Sequence, residues 1–295
     1  MKFLAEYIMR GRIQAMLVAT SLALLSLLMP PISIVSSATV ALVTLRRGAT
    51  EGLYVLLSAS VMAGLMGIIF MGNYQFALAY ALILWLPVWL ISIILREGRQ
   101  LSLAVEIAVI FGIISVGAYY LYDPTVASQW QSLLTQVLPV NTAAPIEDIT
   151  LAINTMAHYM TGILAAGTVF SVLFGLFLGR WWQANLYNPG GFKQEYLSLS
   201  TQPKFALGSL CIIAVAALSQ GLIAEIAWNA SILLFVLYSV IGSSVAHTLF
   251  ATMKMARFSV PMFYITLFLI PHALILVALV GILDTWLNLR KSKSN

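Results

Sequence analysis

The sequence predicts an all-α fold: a polytopic transmembrane helix bundle of eight to ten membrane segments, with proline-broken helices near both ends. Three observations predict it. Of 295 residues, 61% are hydrophobic and only 8% are charged, against about a quarter charged in a soluble globular domain. Mean hydropathy is +0.97. The apolar residues also fall in long runs, and roughly 20 such residues cross a bilayer core of about 30 Å. This composition excludes a soluble enzyme, a nucleic-acid reader and a disordered chain. The net charge of +5 comes from Lys and Arg in short loops, where they orient the chain against the bilayer rather than mark a nucleic-acid partner. The single cysteine, Cys211, lies inside an apolar run, so no disulfide forms within the chain.

The first uncharged stretch, 13–45, is too long for one span and contains Met29-Pro30-Pro31. Two prolines remove donors and clash with the preceding turn, which predicts two short helices, about 13–28 and 32–45. Spans follow at 52–70, 75–95, 101–121, 153–179, 205–222 and 229–253. The last apolar stretch, 258–289, has Pro271 near its middle and Asp284 near its end. Lys2, Arg10 and Arg12 precede the first run, but no small-residue cleavage site follows, so a cleavable signal peptide is not expected.

Orientation follows from the Lys/Arg bias. With 13–28 and 32–45 as a hairpin, Arg10, Arg12, Arg46, Arg47, Arg96, Arg99, Arg180, Lys193, Lys204, Lys254 and Arg257 all fall on the cytoplasmic side. The outer loops 71–74, 122–152 and 221–228 hold Asp123, Glu147, Asp148 and Glu225 and no Lys or Arg. A hairpin broken at Pro271 brings Arg290, Lys291 and Lys293 inside as well. The expected location is thus the bacterial inner (cytoplasmic) membrane, with the N-terminus and the C-terminus both cytoplasmic.

Two polar segments stand out. Residues 127–138 place Trp130, Leu133, Leu134 and Val137 at helical spacing, which predicts an amphipathic helix on the outer surface. In 180–196, Trp181, Trp182, Tyr187, Phe192 and Tyr196 accompany Arg180 and Lys193, with a turn at Asn188-Pro189-Gly190-Gly191. An interfacial aromatic belt and a docking surface for a partner both fit.

Ionisable groups near the bilayer are functional candidates because charge there costs several kcal/mol. Glu106 fits a snorkelling carboxylate or a pair with Arg99 or Arg257. The candidate ligand-binding residues are Asn154, His158, Glu225, Tyr120 and Asn73, which the topology collects at the outer helix ends. Ordinary interface residues fit the same pattern. With no Lys or Arg in the outer loops, Glu225 is left to a cationic ligand, a proton or a substrate hydrogen bond. His247 reads as a packing residue, and His158, His247 and His272 lie on separate segments. No HExxH, CxxC, Walker A, GxSxG or GxGxxG pattern occurs. Catalytic residues, metal ligands and cofactors are therefore not expected.

Small residues four apart let helices approach closely. Ala15, Ala19 and Ala23 form such a stripe at the cytoplasmic surface, a candidate contact for a partner helix, although packing within the chain's own bundle also explains it. Ala59/Ala63/Gly67 and Ser171/Gly175/Gly179 repeat the pattern.

Ala224-Glu225-Ile226-Ala227-Trp228-Asn229, His247 and Gly281-x-x-Asp284-x-Trp286-x-x-x-Arg290, with Arg180-Trp181-Trp182-Gln183 and Asn188-Pro189-Gly190, resemble the YybS-like family of bacterial multi-pass membrane proteins, whose function is largely unknown. The N-terminal part of that family is remotely similar to the substrate-binding S components of energy-coupling-factor vitamin transporters. That resemblance implies a six-helix S-component-like module over 1–180, followed by a cytoplasmic aromatic loop and C-terminal membrane helices over 181–295. It also implies ligand binding near the outer face, and an alanine motif on the first helix that meets a coupling subunit. No vitamin-binding signature accompanies it. The expected function is small-molecule binding or uptake alongside partner subunits in the lipid bilayer. The alternative is a structural or regulatory scaffold that recruits a partner through 180–204.

Overall fold

The computed structural model describes residues 2–137, 146–252 and 256–290. Leu138, Lys254, Lys291 and Lys293, used in the readings above, lie outside them. The described residues are helical throughout, with no strand. Five helices are long and apolar enough to cross a membrane: 49–71, 75–98, 101–122, 147–187 and 221–252. Four shorter apolar helices accompany them. The chain is a polytopic helical membrane protein by fold and composition.

Two compact units are present, 1–108 with 170–199 and 109–169 with 200–295. This division cuts across the one drawn at residue 180, because α7 (Leu101–Tyr122) and α9 (Ile146–Tyr187) each contribute to both.

The first unit opens with a short helix, α1 (Lys2–Arg10), then α2 (Arg12–Leu25) and α3 (Ile32–Arg47). The interruption between α2 and α3 falls at Met29-Pro30-Pro31, as the two missing donors require. After α4 (Ala49–Met71) come α5 (Gln75–Tyr80), a π-helical turn at Ala81–Trp85, and α6 (Leu86–Gly98). Small residues point inward and large ones outward, the arrangement expected where lipid is as apolar as leucine. On α4, Ala59 and Ala63 are fully buried while Leu57, Val61 and Leu65 are exposed. The Ser171/Gly175/Gly179 stripe packs on α3: a Cβ on Gly179 would lie 2.7 Å from Ala41 Cβ and 3.0 Å from the Ala38 carbonyl oxygen.

The alanine stripe is covered by the chain itself. Ala15, Ala19 and Ala23 are at most 1% exposed in a helix that packs on α3 and α4. Ser36 Oγ donates to the Ala19 carbonyl at 2.7 Å and accepts from Trp85 Nε1 at 3.1 Å. That face of α2 has no room for a partner helix.

The aromatic segment is not a loop at its start. α9 runs on to Tyr187, about 63 Å from its first residue at 1.5 Å per residue, because nothing breaks it before Asn188-Pro189-Gly190. Gly190 turns with φ +88, and α10 (Gly191–Leu197) follows. Arg180 pairs with Glu195, Gln183 donates to the Leu45 carbonyl, and Arg46 stacks over Tyr187 at 3.9 Å. Trp182 is fully buried, while Trp181 and Tyr187 stay at the surface.

The second unit contains α8 (Val126–Val137), α11 (Pro203–Leu218), α12 (Gly221–Thr252), α13 (Ala256–Leu269) and α14 (Ala273–Leu287). α8 is the amphipathic helix anticipated from 127–138. α12 starts earlier than expected and absorbs the outer turn read at 221–228. The turn is Ser219-Gln220, closed by Gly221 at φ +63, since 222–228 hold no Gly or Pro. The chain breaks again around Pro271, between α13 and α14. α14 packs closely on α12. A Cβ on Gly281 would lie 2.1 Å from the Tyr238 carbonyl oxygen and 2.8 Å from Gly242 N, and Arg290, beyond the end of α14, reaches Ser244.

Candidate functional site

The site begins with a polar residue in an apolar helix. Asn229 is fully buried on α12, where an unmatched amide costs several kcal/mol. It is matched by the backbone of α9. Gly162 N–H donates to Asn229 Oδ1 at 2.5 Å, and Asn229 Nδ2 donates to the His158 carbonyl at 2.7 Å. The amide thus bridges the two backbone groups that one helical rung would join. This approach requires glycine: a Cβ at position 162 would lie 2.8 Å from Asn229 Cα, O and Oδ1. Nδ2 also reaches the Glu225 carbonyl at 2.8 Å and Tyr120 Oη at 3.2 Å. Two amide hydrogens serve three acceptors, so one is shared.

Above this node sits Glu225, one turn into α12. Tyr120, in the last turn of α7 and 1% exposed, donates its hydroxyl to Glu225 Oε1 at 2.7 Å. His158 Nδ1 lies 2.8 Å from Glu225 Oε2. Each carboxylate oxygen therefore has a polar neighbour of its own. The pair is lopsided in exposure: the Glu225 side chain is 17% exposed and that of His158 is 56%. The sequence left Glu225 without an ion-pair partner because only Lys and Arg were counted; His158, one of the candidates itself, supplies it when protonated.

Glu225 and His158 line one cavity of about 530 Å³, with Thr155, Tyr159, Leu222 and Trp228 among the other walls. Asn154 is not among its lining residues; its Oδ1 accepts from Gln131 Nε2 at 2.6 Å and so ties α8 to α9. Trp130 Nε1 adds a second tie to Thr161 Oγ1 at 2.9 Å. Asn73 belongs to the first unit, where its side chain closes its own turn by accepting from Gln75 N and donating to the Met71 carbonyl. Outside the membrane-spanning helices, Asp123 starts α8: its carboxylate accepts from Thr125 Oγ1 and Thr125 N, and from Gln129. Thr125 chiefly, through hydroxyl and backbone, holds that carboxyl below its usual range.

The remaining histidines lie elsewhere. His247 packs edge-on against Phe263 and Tyr264, and His272 precedes α14. Glu106 is buried in the first unit. Among the described residues, no three His, Cys, Asp or Glu cluster closely enough to hold a metal ion. Gly162 was not singled out from the sequence, and Asn229 appeared there only as part of the resemblance motif, not as a site residue. The available signal was an amide inside an apolar helix, a costly placement that asks for a partner.

Fold and site together define a class, a multi-pass helical membrane protein with a cavity between α9 and α12 that holds one carboxylate and one imidazole. No family model, curated protein or solved structure matches the chain.

Proposed function

We propose that the protein is a non-catalytic, membrane-embedded binding protein for a small polar molecule, working in uptake with partner subunits. One observation carries this reading. Glu225 is a carboxylate fixed from behind by Tyr120 yet lines a cavity of about 530 Å³, within the roughly 300–1,000 Å³ of small-molecule sites. The partner subunits rest on the resemblance of the N-terminal part to S components. Their contact is not assigned to Ala15, Ala19 and Ala23, which the chain itself covers. Recruitment through 180–204 draws less support, since Arg180, Gln183, Glu195 and Trp182 are engaged internally.

The location proposed is the bacterial cytoplasmic membrane with both termini inside. The Lys/Arg bias supports it, because this topology gathers Arg290 with the other cations on one side. A C-terminal reporter active only in the periplasm would contradict this topology. The binding reading is tested by thermal unfolding of the full chain in detergent with sets of small cationic, anionic and neutral solutes. At least one charge class should stabilise the wild type and lose that effect in at least one of Glu225→Gln and His158→Ala. Equal responses in all three proteins would defeat the reading.

A further inference from the structure

Resting on that binding reading, we propose that the cavity takes an organic cation, an ammonium carrying an apolar or aromatic group. Among the described residues its walls hold one carboxylate, Glu225, and no Lys or Arg. An anion would find only His158 as a counterion, and Glu225 already engages it at 2.8 Å. Tyr159 and Trp228 line the same space, and aromatic rings are the apolar groups that attract a partly desolvated cation.

The two carboxylate oxygens divide the work. Oε1 is held by the buried Tyr120 hydroxyl, itself in contact with Asn229, so the carboxylate stays in place whatever occupies the cavity. Oε2 faces His158, whose side chain is more than half exposed, so its place beside the carboxylate is open to exchange from solvent. An ammonium has three donors. It can give one to Glu225 Oε2 and a second to Nδ1 of a neutral His158. Ligand and imidazolium thus compete for one oxygen, and the ligand replaces an exposed partner with a charge-assisted bond inside the cavity. An alcohol of the same shape makes the hydrogen bond without the charge. A carboxylate meets repulsion from Glu225.

The test uses three matched probes on the full chain in lipid nanodiscs: 2-phenylethylammonium, 2-phenylethanol and phenylacetate. Saturable change in tryptophan emission, to which Trp228 contributes, reports binding. The ammonium should bind about tenfold or more tighter than the alcohol, a gap of about 1.4 kcal/mol, and phenylacetate should bind weakest. Glu225→Gln should bring the ammonium to the level of the alcohol, whereas His158→Ala should keep the preference. Preference for phenylacetate, lost in His158→Ala, would overturn the cation assignment and leave the binding reading standing. An ammonium preference that survives Glu225→Gln, or no saturable signal from any probe, would overturn both.

Discussion

Among the described residues, the second unit contains two acid–base pairs, and they differ sharply in burial. Asp284 and Arg290 meet through two bonds, 2.9 and 3.1 Å, with side chains 6% and 13% exposed. Arg290 also donates to Ser244 on α12, beside the contact where Gly242 and Gly281 let α12 and α14 touch. Glu225 and His158 meet through one contact, on the wall of a cavity, with the imidazole more than half exposed. The first pair is desolvated, so its partners are locked to each other. The second keeps one oxygen of a fixed carboxylate within reach of a ligand. Burial and geometry, rather than the kind of charge, separate the two pairs, and the proposed binding role rests on that difference.

Breaking the buried pair should give the largest effect. Asp284→Asn leaves Arg290 uncompensated where water is scarce, a cost of about 3–5 kcal/mol, read as a lowered unfolding midpoint in detergent. Asp284→Asn and Arg290→Gln together should cost clearly less than their sum. Full additivity would mean that the two groups do not depend on each other.

Next comes the helix contact that frames this pair. Gly281→Leu forces a side chain against the Tyr238 carbonyl and should cost about 1–3 kcal/mol or more, the range for overpacking. An unchanged midpoint would show that α14 can shift aside. On the cavity side, Asn229→Leu removes the amide from the Gly162–His158 rung and from Tyr120, and places an apolar side chain among these polar groups, costing about 1–3 kcal/mol. Faster amide exchange at 158–162, measured by mass spectrometry, should accompany it. Protection at wild-type level would contradict the bridging role.

The smallest expected effect lies at the surface. The Asp123 carboxyl is held below its usual value in the fold, so its contribution to the start of α8 is present above the unfolded value of about 3.9. It is lost as pH falls from there through the lower folded value. Amide exchange at 125–130 should therefore rise on acidification below about pH 4, and Asp123→Asn should remove that dependence.

Much of this was legible in the sequence where one local signal decides. Prolines 30, 31 and 271 place the chain breaks, the spacing of Trp130, Leu134 and Val137 yields α8, and the charge bias puts His158 and Glu225 at the same helix ends. The misreadings share a cause as well. Polar residues at 180–187 and 221–228 looked like loops, yet a helix continues until backbone chemistry stops it, at Asn188-Pro189-Gly190 and at Ser219-Gln220-Gly221. What no local pattern carries is a contact across 67 positions. The Asn229 bridge to Gly162 and the His158–Glu225 pair depend on how α9 and α12 pack. The alanine stripe on α2 was ambiguous for the same reason, since close helix packing within a chain and between chains uses the same residues.

The central claim is that Glu225 serves a ligand while Asp284 serves the fold. Its most direct test is the rise in unfolding temperature caused by 2-phenylethylammonium, compared in the wild type, Glu225→Gln and Asp284→Asn. The expected result is a low starting temperature with the rise intact in Asp284→Asn, and a near-normal starting temperature with the rise abolished in Glu225→Gln. A Glu225→Gln protein that is still stabilised by the ammonium, or one destabilised as severely as Asp284→Asn, would contradict it.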